Sequence, residues 1–206
     1  MRTKSPADIF SDDLLPHLTI IINDSLHSGL FPSAFKLAIV EPLLKKTALN
    51  PKFLKKYRPV SNLTFLSKTL EKVVLRQLSD HLLTNNLFCS YQSPYRADHS
   101  TETALLKIVN DPLPALGEDK VSLLALLDPS PAFGTIEHSI FLKRLSCSFG
   151  ISDTLLACLT FYLPDHTQTI SVNGSKSVPA PLHYGVPQGS VLGPFSLFST
   201  FNPFLR

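Results

Sequence analysis

The chain has 206 residues, a formal net charge of +3, an apolar share of 44% and a charged share of 17%. That length and apolar share suit a globular chain with one good core, or one domain and part of another. Three scattered cysteines without a CxxC pair, a charged N-terminus without an apolar signal core and no apolar run longer than residues 123–127 argue against a disulfide framework and a structural zinc site, and the expectation is no secretory leader and no membrane span. The expected setting is intracellular, nuclear or cytoplasmic and not secreted, with no membrane and no disulfide partner.

Residues 8–28 predict a helix, with Ile9, Leu14, Leu18, Ile21, Ile22 and Leu26 near helical spacing, Pro16 as an interruption and Gly29 as its end. Residues 35–44 predict a strand closed by Pro42, and residues 45–59 a basic loop. Residues 63–83 give the strongest helix, with Leu63, Leu66, Leu70, Val73, Val74, Leu78 and Leu82 on one stripe and Lys68, Lys72 and Arg76 elsewhere on the wheel. Ser100 is an N-cap for a helix through Ile108, beyond which Asp111-Pro112 and Pro114 break the pattern. Residues 121–127 read as a short buried strand with Asp128 at its end. Two helices follow, over 139–149 and 153–163. Residues 167–172 alternate as a strand, Asn173-Gly174 is a type I′ hairpin signal, and a second strand lies near 176–178. Residues 185–193 form a loop punctuated by glycine, and 195–201 start a helix. Mixed helices and short strands make the fold class α+β.

Charge is uneven along the chain. From 36 to 76 the bases Lys36, Lys45, Lys46, Lys52, Lys55, Lys56, Arg58, Lys68, Lys72 and Arg76 face only Glu41 and Glu71, which suits a polyanion such as nucleic acid. From 97 to 137 the sign reverses, and Asp98, Glu102, Asp111, Glu118, Asp119, Asp128 and Glu137 face Lys107 and Lys120. An acid after an apolar strand, as Asp128 is, can hold Mg²⁺, which takes oxygen ligands and shares them with substrate phosphates; Asp-Pro is also a common turn start. Gly185-Val186-Pro187-Gln188-Gly189-Ser190 brackets Pro and Gln between glycines, so its backbone can approach a base or sugar closely; it also reads as a plain hairpin exit. Arg58 and Arg96 present forks that suit phosphate.

In order, these segments resemble the sequence blocks of reverse transcriptases from non-LTR retrotransposons, the long interspersed element class. Tyr57-Arg58-Pro59-Val60-Ser61-Asn62-Leu63 resembles N-Y-R-P-I-S-L, and Gln92-Ser93-Pro94-Tyr95-Arg96 resembles Q-S-G-F-R. Leu127-Asp128-Pro129-Ser130-Pro131-Ala132-Phe133 resembles motif A, L-D-L-S-x-A-F-D. Residues 185–194 match motif B, G-V-P-Q-G-S-V-L-G-P, at every position. The resemblance implies the fingers and a partial palm of a right-hand polymerase fold with the thumb absent, an N-terminal helical segment over 1–29, fingers over about 30–120 and an incomplete palm over about 121–206. It implies an RNA-directed DNA polymerase, a nucleotidyltransferase with RNA template, DNA primer and dNTP as partners and Mg²⁺ as cofactor. Asp128 would be catalytic and bind metal. Arg96, Phe133, Gln188 and Gly189 would contact the nucleotide, and Lys45, Lys46, Tyr57 and Arg58 the template.

The match also departs from the family. The F/Y-A-D-D turn of motif C does not occur before Arg206, and the Asp-Asp pair at Asp12-Asp13 lies in a predicted helix. Gly134 stands where motif A ends in Asp, Pro129 and Pro131 remove backbone donors, and Pro94 replaces a glycine. The expectation is a domain fragment that does not polymerise as this chain. The alternatives are a weak, nonspecific RNA- or nucleic-acid-binding module and a non-functional relic polypeptide.

Overall fold

The computed structural model describes residues 6–88, 92, 93, 96, 98–118, 120–126 and 132–201, with the backbone alone at 6–12, 116, 132, 198 and 201. Helix α1 spans Pro6–Ser28 with Pro16 inside it. Gly29, at φ 68°, turns the chain away against Ala157 and the Thr154 carbonyl, where a side chain would crowd both. Strand β1 (Leu37–Leu44) is central, pairing antiparallel with β2 (Tyr57–Asn62) and parallel with β3 (Thr167–Val172). Short strands β4 (Ser175–Lys176) and β5 (Ala180–Pro181) both pair with β3.

Pro42 does not close β1. It sits opposite Pro59 in the β1–β2 ladder, and β3 pairs only with residues 37–40, so on neither side does the ladder need the missing N–H. The basic loop likewise gives way to strand at Tyr57, two residues before the expected end, because β1 supplies a partner as far as Leu44. Asn173 (φ 50°) and Gly174 (φ 83°) take the positive φ values of the expected hairpin turn.

Helix α2 (Phe65–Thr84) starts at Thr64, whose side chain accepts from the Ser67 N–H, and buries Ser67, Leu70, Glu71, Val74, Leu78 and Leu82. Helices α3 (Thr101–Asn110) and α4 (Leu113–Gly117) follow; Ser100 and Thr103 form a reciprocal capping box at the first, and Pro112 separates the two. Neither α5 (His138–Phe149) nor α6 (Asp153–Tyr162) departs from expectation by more than a residue. Gly150 ends α5 in the left-handed conformation, and Ile151 N–H closes the turn on the Leu145 carbonyl. Helix α7 spans Gly193–Phe201.

The core joins α2, α5, α6 and α7 around Leu70, Leu78, Leu82, Phe141, Leu145, Leu159 and Tyr162, with α1 packed on α6. Each fully buried Leu or Phe contributes about 1.5–3 kcal/mol of transfer free energy. His81 Nε2 reaches the Phe149 carbonyl at 2.8 Å and ties α2 to the end of α5.

Residues 121–126 correct the sequence reading. They form no strand, and Val121 and Leu123 are 98% and 95% exposed. An apolar run acquires strand structure only from a ladder partner. Here the sheet's centre is taken by β1 and β3. Residue 127 and the acid that follows, Asp128, lie outside the described residues, as do Pro129 and Pro131.

Candidate active-site junction

Three segments far apart in sequence meet beside the sheet. At the end of β2, the Ser61 N–H donates to the Gln188 carbonyl at 2.7 Å. Gly189, at φ 130°, lies so close that a Cβ there would overlap the Ser61 carbonyl oxygen. At the other end of the loop, Gly185 N–H donates to the Ile136 carbonyl (2.8 Å) and Val186 N–H to the Phe133 carbonyl (3.0 Å). Gly185, at φ 75°, leaves no room for a Cβ against Phe133 and Gly134, and His138 Nε2 holds its carbonyl at 2.8 Å. The two glycines are therefore fixed by close backbone approach on opposite sides of one loop.

The loop's far end is anchored by a residue that sequence reasoning passed over. Glu71 of α2 is wholly buried. Its carboxylate accepts from the N–H groups of Val191 (2.6 Å) and Leu192 (3.1 Å), just before α7, and from the Ser67 hydroxyl (3.1 Å). Burial pushes its pKa up, against the hydrogen bonds that favour the charged form. The buried hydroxyls of Tyr162 and Ser190 lie in the same cluster and have no hydrogen-bond partner of good geometry among the described residues. The available signal was an acid standing in α2's apolar stripe, between Leu70 and Val74.

Phe133, Gln188 and Gly189 are thus brought together. Phe133 is half-buried, its ring packed towards Gly193, and the Gln188 side chain is half-exposed. Arg58 lies three residues before Ser61 on β2, about 10 Å along the strand. Lys45 and Lys46 are exposed beyond the last β1–β2 pair, Leu44 with Tyr57. The connection is closed by Lys45 N–H to the Lys56 carbonyl (2.9 Å) and by the Tyr57 hydroxyl to the Pro51 carbonyl (3.1 Å). Lys56 Nζ sits 4.7 Å from the centre of the exposed Phe53 ring. Arg96 lies 6.0 Å over the Phe88 ring. Lys36, counted among the basic run, is buried: its ammonium donates to the carbonyls of Phe161 (2.6 Å) and Pro164 (3.1 Å) at the end of α6.

Asp128 lies outside the described residues, and Gly134 brings no carboxylate. Among the described residues no three of His, Cys, Asp or Glu converge on one point, so these residues do not compose a two-ion site. No described helix is long and apolar enough to cross a membrane, and the described cysteines, Cys147 and Cys158, are free thiols.

Residues 44–206 match the family described as reverse transcriptase (RNA-dependent DNA polymerase). The chain is 33% identical over 193 residues to the RNA-directed DNA polymerase from mobile element jockey of Drosophila melanogaster, covering 94% of this chain and 21% of that protein. It is 30% identical over 193 residues to the jockey polymerase of Drosophila funebris, with the same coverage. It is 29% identical over 185 residues to the probable RNA-directed DNA polymerase from transposon BS of Drosophila melanogaster, covering 90% of this chain and 20% of that one. The chain thus spans about a fifth of the length of these relatives.

Proposed function

This chain belongs to the reverse transcriptase (RNA-dependent DNA polymerase) family of non-LTR retrotransposons, and from that premise we propose that it is a fingers-and-palm piece that binds template and does not polymerise by itself. The helical segment over 1–29 precedes fingers over about 30–120 and palm over about 121–206. The observation that carries the reading is the junction itself. The three blocks that resemble the family's nucleotide and template machinery lie more than fifty residues apart, and they meet through Ser61, Gln188, Phe133 and Val186 backbone bonds.

In this reading Gln188, Gly189 and Phe133 line the pocket for template base and incoming dNTP, with Arg96 towards the triphosphate. Lys45, Lys46, Tyr57 and Arg58 hold the template strand. Mg²⁺ belongs to the family's chemistry and would be held by Asp128. When bound in pairs, such ions activate the primer hydroxyl and stabilise the leaving pyrophosphate. One aspartate does not offset the repulsion of two divalent ions, Gly134 adds no second carboxylate, and the Asp12-Asp13 pair belongs to α1. What this chain's own residues supply is positioning and an anion-binding surface.

Binding is tested by fluorescence anisotropy with a labelled RNA template carrying a DNA primer, titrated across a salt series. We expect weak, sequence-independent affinity that falls steeply with salt, and a further loss in Lys45→Gln/Lys46→Gln/Arg58→Gln. An affinity indifferent to salt would contradict the reading.

A further inference from the structure

Helix α2 carries Lys68, Lys72 and Arg76 at intervals of four residues. The three cations therefore lie about 6 Å apart along the axis and within roughly a quarter turn of one another. The opposite face of the helix is buried through Ser67, Leu70, Glu71, Val74 and Leu78, so α2 cannot roll to hide them. Lys72 and Arg76 are exposed and Lys68 is half-buried. None of the three side chains makes a hydrogen bond or an ion pair among the described residues. Like charges four residues apart repel and weaken a helix. Glu71, the acid nearest to them in sequence, is turned inward and committed to Val191 and Leu192. Asp80, exposed one turn beyond Arg76, ends the stripe.

A row of unneutralised cations at one-turn intervals matches the separation of successive phosphates along a nucleic-acid strand. Strand β2 runs into α2 through Leu63 and Thr64 alone, so the stripe follows the basic hairpin in the chain without an intervening acid.

We propose that the exposed face of α2 is a second nucleic-acid contact surface, on which Lys68, Lys72 and Arg76 each neutralise a phosphate of the strand that the β1–β2 hairpin holds. The proposal rests on the nucleic-acid reading above and adds a surface to it. The contact is to the backbone, so it discriminates charge and path, not base sequence.

The test uses the full chain and a labelled single-stranded RNA long enough to pass from hairpin to helix, with anisotropy read across a potassium chloride series. Lys68→Gln/Lys72→Gln/Arg76→Gln keeps the aliphatic stems, and circular dichroism checks that its helix content is unchanged. Three single-strand phosphate contacts should flatten the slope of log affinity against log salt by about 2, with at least a tenfold loss of affinity at low salt. Restoring Lys72 alone should recover part of both. An unchanged slope and affinity in this variant, beside a loss in Lys45→Gln/Lys46→Gln/Arg58→Gln, would overturn the proposal and leave the hairpin reading standing. No binding by the parental chain at any salt would overturn both. Equal displacement of the RNA and of polyglutamate by one another, at matched charge, would show that the face takes acidic peptide, and would also overturn it.

Discussion

Glu71 is buried to a depth that charged groups rarely reach without partners, and its partners are Ser67 on its own helix and the Val191 and Leu192 amides of the distant loop. Glu71→Ala would strand two amide donors and the Ser67 hydroxyl and leave a cavity, at a cost of about 3–4 kcal/mol. Glu71→Gln keeps an oxygen facing Val191 and Leu192 and should cost less than about 1.5 kcal/mol. The pKa of Glu71 is raised in the fold above its ordinary 4.5, so its stabilisation is fully present below that value and declines as pH rises through the folded pKa. Urea unfolding should therefore find the deficit of Glu71→Gln smaller at pH 8 than at pH 5; a deficit that grows with pH would place the ionised form as the stabilising one. His166 has the opposite linkage. Burial, with Lys36 and His138 nearby, holds it down from 6.5 to about 4. The unfolded chain takes up a proton that the fold refuses, so stability is lost as pH falls from 6.5 towards 4, by roughly 3 kcal/mol at most. The ring stands edge-on to Tyr162 at 5.2 Å, a contact that His166→Phe retains. That variant's melting temperature should change less across the same pH window, and an equal change would assign the acid sensitivity elsewhere.

Among the elements, the loop over 185–192 is the one whose geometry leaves least freedom. Gly185→Ala and Gly189→Ala would each add a Cβ at positive φ into backbone oxygen, and each should destabilise by about 2–4 kcal/mol in equilibrium unfolding. A cost below about 0.5 kcal/mol at either site would mean that the loop is not pressed against Ser61 or Phe133. This loop was readable in the sequence because every residue of its block is present, and its glycines carry their own backbone signal. The helices were readable for a different reason. The stripe of α2, the Ser100 cap and Gly150 each act locally, and local chemistry survives into the fold. The strands were harder. Whether Pro42 ends β1 depends on what lies opposite, which is Pro59, and whether residues 121–126 become a strand depends on a partner they do not find among the described residues. The roles of Glu71 and Lys36 were hidden for the same reason: their partners are more than a hundred residues away.

At the scale of the molecule, the described residues combine a sheet centred on β1, a core built from α2, α5, α6 and α7, and a run of bases that continues along the chain from the hairpin into α2. The segments that we propose bind and position the template are present in that arrangement. The described part supplies no convergent set of carboxylates for phosphoryl chemistry. The account thus separates binding from synthesis. Nucleotide incorporation on a primed RNA template, with Mg²⁺ or Mn²⁺ and labelled dNTP, measures that separation most directly. The account predicts no extension of the primer at protein concentrations that hold the template bound. Extension that disappears in Asp128→Ala would contradict it, and would establish these 206 residues as a working polymerase.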